Sequence, residues 1–68
     1  MTEEFELSSK IYHARKRKGL TQEQLAGEME ITPRWLQRIE SGKQWPSGRL
    51  LYRLVRYLDI DLRGDEAT

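Results

Sequence analysis

Between Ile31 and Gly42 the chain reads ITPRWLQRIESG, and Arg34, Trp35, Gln37 and Arg38 crowd into its middle. Thr32 followed by Pro33 is the pairing expected where a side-chain oxygen caps a helix and proline takes the first helical position. Gly42 is a natural stop, so a short helix is expected from Pro33 to about Glu40. At roughly 100° per residue, Leu36, Ile39 and Glu40 fall on one side and Arg34 and Arg38 nearly opposite. Pro33 and Gln37 occupy one flank and Trp35 the other. Leu36 and Ile39 would anchor such a helix, leaving two guanidinium groups and an amide turned outward. A guanidinium can pair bidentately with guanine and a carboxamide with adenine. The same side chains can equally be ordinary solvated surface, and for a helix taken alone that reading is favoured.

Other chemistry finds little support. The chain has no cysteine and one histidine, His13, so thiolate nucleophiles, disulfides and Cys- or His-rich metal sites are excluded. His13 lies off the apolar stripe and has no acidic or nucleophilic neighbour to complete a catalytic set. With 68 residues, there is also little volume for a substrate pocket. The expectation is a non-enzyme with no metal, no cofactor and no small-molecule ligand. The length fits a single domain, 1–68, with its core at about 7–62 and acidic flexible ends. The N-terminal MTEEFELSS lacks the apolar run of a secretory signal, and no stretch approaches a membrane span. A cytoplasmic, nucleoid-associated protein is expected.

The net charge of +1 hides a segregation. Residues 1–9 carry three acids and no base, and residues 57–68 net −3. Between them, residues 10–56 carry eleven Lys and Arg against four Glu, a net of +7. A basic body between acidic ends suits a polyanionic partner, although a solvated charged surface has the same signature.

Helical periodicity supplies the frame for these residues. Leu7, Ile11, Ala14 and Lys18 keep three-to-four spacing after the Ser8-Ser9 pair, a possible cap, so a first helix is expected near 8–18 and Gly19 ends it. Thr21 caps a second helix, with Gln24 completing a capping box and Gln22, Leu25, Ala26 and Met29 sharing a face. Glu30 and Ile31 then lead directly into Thr32. After SGKQWPSG, the one turn-rich interior stretch, a fourth helix starts near Ser47, and Leu50, Leu51, Leu54, Val55 and Leu58 form its apolar stripe. A further turn through Ile60 and Leu62 is possible. The fold class is all-α, with four to five helices.

Two short capped helices joined by about three residues, with Leu25, Met29, Ile31, Leu36 and Ile39 in register, form a helix-turn-helix pattern. The stretch LTQEQLAGEMEITPRWLQRIESGKQWPS, with ARKRKG before it and LLYRLVRYLDI after it, resembles the Cro/repressor (Xre-like) helix-turn-helix family over roughly residues 7–62. Arg15, Thr21-Gln22, Leu25-Ala26, Ile31-Thr32, Glu40, Gly42 and Pro46 carry the likeness. It implies a compact lambda-repressor-like DNA-binding domain whose third helix reads the major groove. By position it places base contacts on Pro33, Arg34, Trp35, Gln37 and Arg38. Gln22, Thr32, Lys43 and Arg17 would meet the DNA backbone, Gln22 with the help of the helix N-terminus. Two positions depart from the family pattern. Glu30 stands where glycine is usual, at a steric cost if it turns left-handed, and Pro33 cannot make a polar base contact.

A sequence-specific DNA-binding regulator, repressor-like by resemblance, is thus the first expectation. A protein-binding module that reuses the fold, such as an antitoxin, is the alternative. One short helix covers few base pairs, so a homodimer on an inverted-repeat operator is expected, with Trp45, Tyr57, Ile60 and Leu62 as interface candidates. Lys16, Arg17 and Lys18 can reach phosphate or simply complement the end of their helix. Trp35 can touch DNA or shield the seam beside the second helix. Trp45 is expected under the fourth helix or in an interface. Tyr12, Tyr52 and Tyr57 are expected half-buried, with hydroxyls in water.

Arg15 and Glu40 both fall on apolar faces, where an unpaired charge is costly, and they are expected to pair; the family likeness points the same way. Loss of one partner of a buried pair costs about 3–5 kcal/mol, against at most about 1 kcal/mol for an exposed pair. Arg15→Ala should therefore lower the denaturation midpoint far more than Lys16→Ala. Equal midpoints for the two variants would rule the pairing out.

Overall fold

The same stop signal is used at the end of every helix. The computed structural model, which describes residues 3–61, contains α1 (Glu3–Arg17), α2 (Gln22–Met29), α3 (Pro33–Glu40) and α4 (Gly48–Leu58). Within two residues of each helix end one residue turns left-handed: Gly19 (φ 71°), Glu30 (61°), Gly42 (79°) and Asp59 (58°). The next residue then donates its N–H to the carbonyl five residues back, which satisfies an otherwise orphaned helix carbonyl. These bonds are Leu20 to Arg15, Ile31 to Ala26, Lys43 to Arg38 and Ile60 to Val55, at 3.0–3.2 Å. Leu20, Ile31 and Ile60 fold back onto the core, the apolar contact that usually accompanies this motif. Lys43 is the exception and is exposed.

The helix starts are equally local. The Thr21 hydroxyl accepts the Gln24 N–H at 3.0 Å while the Gln24 side chain accepts the Thr21 N–H at 2.9 Å, a complete capping box. Thr32 accepts the Trp35 N–H at 3.1 Å with Pro33 at the first helical position, and Ser47 accepts the Leu50 N–H at 3.2 Å. The bounds expected for α2, α3 and α4 follow from these caps.

Two expected boundaries are corrected. α1 starts at Glu3 rather than near residue 8, because Leu7 is buried one turn before Ile11 and the helix extends back to place it. Ser8, read as a possible cap, is buried inside α1 instead. The further turn after α4 does not form over 59–61: left-handed Asp59 stops the helix, and Ile60 is drawn back onto the core. Leu62 lies outside the described residues.

All four helices supply the core, which consists of Leu7, Ile11, Ala14, Leu25, Ala26, Met29, Leu36, Ile39, Leu50, Leu54 and Leu58. α3 packs against α1 and α2, while α4 packs against α1 and against α2. Arg53 of α4 donates to the Met29 carbonyl at 3.1 Å and to the Glu28 carbonyl at 3.3 Å. A cation thus covers the carbonyl end of α2, where the helix dipole favours positive charge.

Left-handed geometry costs a side-chain-bearing residue about 1–2 kcal/mol, partly offset by the extra unfolded-state freedom of glycine. Gly27 sits inside α2 with nothing within 4 Å of where a Cβ would be. Glu30→Gly and Gly27→Ala should each stabilise the fold by about 0.5–1 kcal/mol, raising the thermal midpoint by a few degrees. A lowered midpoint for Glu30→Gly would show that the Glu30 side chain contributes more than its backbone costs.

Candidate nucleic-acid interface

α3 is pinned from below by Leu36 and Ile39, which are 0% and 1% exposed. That anchoring turns Pro33, Arg34, Gln37 and Arg38 to solvent. α3 begins with proline, so its first turn presents one N–H fewer at the tip, and its only carboxylate, Glu40, is turned inward. Arg38 does not stand free: its Nε donates to the Gln44 side-chain oxygen at 3.2 Å, and its carbonyl accepts the Ser41 hydroxyl at 3.1 Å. Gln44 therefore buttresses one of the two outward guanidinium groups, a role sequence alone gave no signal for.

Trp35 is placed differently from the other four expected base-reading positions. It is half-buried and packs against the core. Its indole Nε1 is enclosed and has no acceptor among the described residues, an uncompensated donor of the kind that costs about 1–3 kcal/mol.

The inward end of α3 is tied to the rest of the domain through one guanidinium. Arg15 Nε donates to Glu40 Oε2 at 2.7 Å, Nη2 to Glu40 Oε1 at 3.0 Å and Nη1 to the Leu20 carbonyl at 2.8 Å. The two side chains are only 7% and 4% exposed. The hydrogen bond to Glu40 raises the Arg15 pKa above its ordinary value, and burial only partly opposes it. Arg15 thus stays charged wherever an unfolded arginine would be charged. Gln22 joins from the start of α2, its Nε2 donating to Glu40 Oε1 at 3.1 Å. The structure therefore brings Arg15 and Glu40 together, and it places Gln22 beside α3.

Around the start of α2, Lys16, Gly19, Thr21, Gln22 and Glu23 line a shallow depression. Arg17, the expected backbone contact, is not part of it; with Lys10, His13, Ile60 and Asp61 it lines a different cleft. Lys16 and Arg15 are the α1 cations that line this depression with Gln22. Thr32 is exposed at the tip of α3, and Lys43 is exposed directly after its end. Of the expected interface residues, Trp45 and Tyr57 are exposed at 47% and 38%. Ile60 is half-buried against the chain's own core. Trp45 is thus more open than a side chain packed under α4 would be, and Tyr52, expected half-buried, is 62% exposed.

Among the described residues no group of three or more His, Asp or Glu is placed to hold a metal ion. No helix among them is long and apolar enough to cross a membrane. Arg53, which closes the end of α2, was also missed at the sequence level, because its role depends on where α4 crosses α2.

A family model described as helix-turn-helix matches residues 11–64. The chain is 44% identical over 59 residues to multiprotein-bridging factor 1b of Arabidopsis thaliana, covering 87% of this chain and 42% of that protein. It is 38% identical over 56 residues to a putative multi-protein-binding factor 1 of Yarrowia lipolytica, covering 82% and 37%. It is 33% identical over 61 residues to endothelial differentiation-related factor 1 of Homo sapiens, covering 90% and 41%. The chain thus spans about two fifths of the length of the curated relatives it matches. No solved structure matches it.

The orphaned indole N–H generates a stability test. Trp35→Phe removes the unpaired donor and keeps most of the packing surface, so it should melt no lower than the parent, within about 1 kcal/mol. Trp35→Ala removes the packing as well and should cost about 2 kcal/mol or more. Thermal melts of the two variants decide it: a large loss for Trp35→Phe would mean that the indole nitrogen is satisfied.

Proposed function

The chain belongs to the Cro/C1-type helix-turn-helix family, and from that we propose that it binds double-stranded DNA sequence-specifically, as a repressor-like transcriptional regulator with α3 in the major groove. The observation that carries this reading is the outward side of α3. Arg34, Gln37 and Arg38 stand exposed on a helix whose one carboxylate is paired within the fold. Those are base-reading side chains at helical spacing. Positions flanking α3 suit phosphate. The Gln22 amide and the Thr32 hydroxyl each keep a proton to donate beyond the bonds they make, and Lys43 projects where the other three helix ends place an apolar residue. Arg17 and Lys16, both exposed near the end of α1, supply further cations for the DNA backbone. Trp35 supports α3 from its inner flank.

One copy of α3 touches few base pairs, so the reading includes a homodimer on an inverted repeat with half-site centres about 10 base pairs, or a multiple of that turn, apart. Exposed Trp45 and Tyr57 supply apolar surface for it. A nucleoid-associated, cytoplasmic location follows from the same reading. A second reading, a module that joins proteins, is favoured by the bridging and multi-protein binding in the names of two of the relatives and by exposed aromatic surface on α4. The two are compatible, because they use different faces.

Base readers and backbone holders fail in different ways. Arg34→Ala should weaken binding to the preferred site by about 1–3 kcal/mol and relax the choice of base at one position in each half-site. Lys43→Ala should weaken specific and random duplex alike and lower the salt slope by about one unit per site contacted. The check is a base-preference profile for the parent and Arg34→Ala at one salt concentration, with affinities repeated at a second. Superimposable profiles would make Arg34 a phosphate clamp and displace the reading surface from α3.

A further inference from the structure

The outward side of α4 carries Arg49, Tyr52, Arg53 and Arg56, and α4 contains no acidic residue. With Glu28, Met29 and Tyr57, the last three line a shallow groove where α4 crosses the end of α2. Two of its guanidinium groups are held in place. Arg53 is fixed by the Met29 and Glu28 carbonyls. Arg56 donates to the Tyr52 hydroxyl at 3.0 Å and lies 5.7 Å from the centroid of its ring. Each retains N–H groups that these bonds do not use. Tyr52, 62% exposed, adds a flat apolar surface with a polar rim. Oriented arginines beside exposed tyrosines are the side chains that dominate protein interfaces, because little freedom remains to be lost on binding.

We infer that this α4 groove is a docking surface for an acidic, partly apolar segment of a partner protein, whose carboxylates meet Arg49, Arg53 and Arg56 and whose apolar side chain lies on Tyr52 and Met29. The inference extends the second reading above and does not depend on DNA binding. Charge selects this occupant. A second copy in a two-fold pairing would set these arginines against themselves. Duplex phosphate is disfavoured because its evenly spaced charges cannot avoid Glu28, whereas a peptide can set its carboxylates apart from it, and the groove lies about 10 Å along α2 from Gln22. Isolated carboxylates interleaved with apolar groups fit both the arginines and the tyrosines.

The test uses the full isotope-labelled chain and three probes: a short synthetic peptide alternating Asp with Leu and Phe, an oligo-aspartate of equal charge, and duplex DNA. The first peptide should shift backbone amide resonances of Met29 and residues 49–57, and oligo-aspartate should do so more weakly. Tyr52→Ala and Arg56→Glu, both at exposed positions, should each weaken peptide binding about tenfold while leaving duplex affinity within about twofold. Peptide shifts confined to α3, or none, overturn the inference. So does duplex DNA that shifts α4 and is lost with Arg56→Glu, or concentration-dependent shifts centred on Tyr52 and Arg56 in the protein alone. Failure to bind duplex at all would instead remove the DNA reading and leave this one standing.

Discussion

One guanidinium sets the geometry on which the rest of the domain depends. Arg15 reaches from α1 to both oxygens of Glu40 at the end of α3 and to the Leu20 carbonyl in the turn before α2. The end of α1, the turn after it and the distant end of α3 are thereby held in one frame. Removing two charges from water is expensive, and a buried pair often contributes little net stability compared with an apolar replacement. What it supplies is direction: the planar fork accepts only a narrow set of carboxylate positions. Gln22, bonded to the same carboxylate, inherits that placement. The end of α3 and the start of α2 are thereby tied to α1 through one carboxylate.

Around that fixed point, the helices carry their own start and stop chemistry. Four left-handed residues and four backward N–H bonds end the helices, and three threonine or serine caps begin α2, α3 and α4. The device closes three ends with an apolar residue and the fourth with Lys43. That exchange sacrifices a core contact at the end of α3 and leaves a cation there. α2 is the most thoroughly closed element, with a capping box at its start and Arg53 over its carbonyl end. Its two ends face different neighbours, which is why the surfaces at α3 and α4 can be chemically distinct.

What could be read from sequence was what is encoded locally. Thr21, Thr32 and Ser47 bond groups three residues away, so the starts of α2, α3 and α4 were visible as residue types at short spacing. The inward side of α3 was visible because helical angle alone sorts Leu36 and Ile39 from Arg34 and Arg38. The start of α1 was not, since Ser8-Ser9 imitates a cap and only the burial of Leu7 overrides it. Arg53, Gln44 and the contrast between Lys16 and Arg17 depend on how elements cross, and no short-range pattern carries that. Trp35 was ambiguous on its flank, and it packs half-buried against the core. Arg15 and Glu40 were legible for the opposite reason: a charge on an apolar stripe calls for a partner.

The exposed side of α3 contributes no side chain to the core, and this bears on how the protein can change over time. Leu36, Ile39, Glu40 and the Thr32 cap hold the helix in place, while substitutions at well-solvated positions typically alter stability by no more than about 0.5 kcal/mol. Residues 34 and 37 are therefore nearly neutral with respect to folding. Position 38 is less free, because it is coupled to Gln44. Selection on the outward surface is in this way separated from selection on the scaffold, and descendants of this chain can drift towards new recognition preferences one side chain at a time without passing through unfolded intermediates.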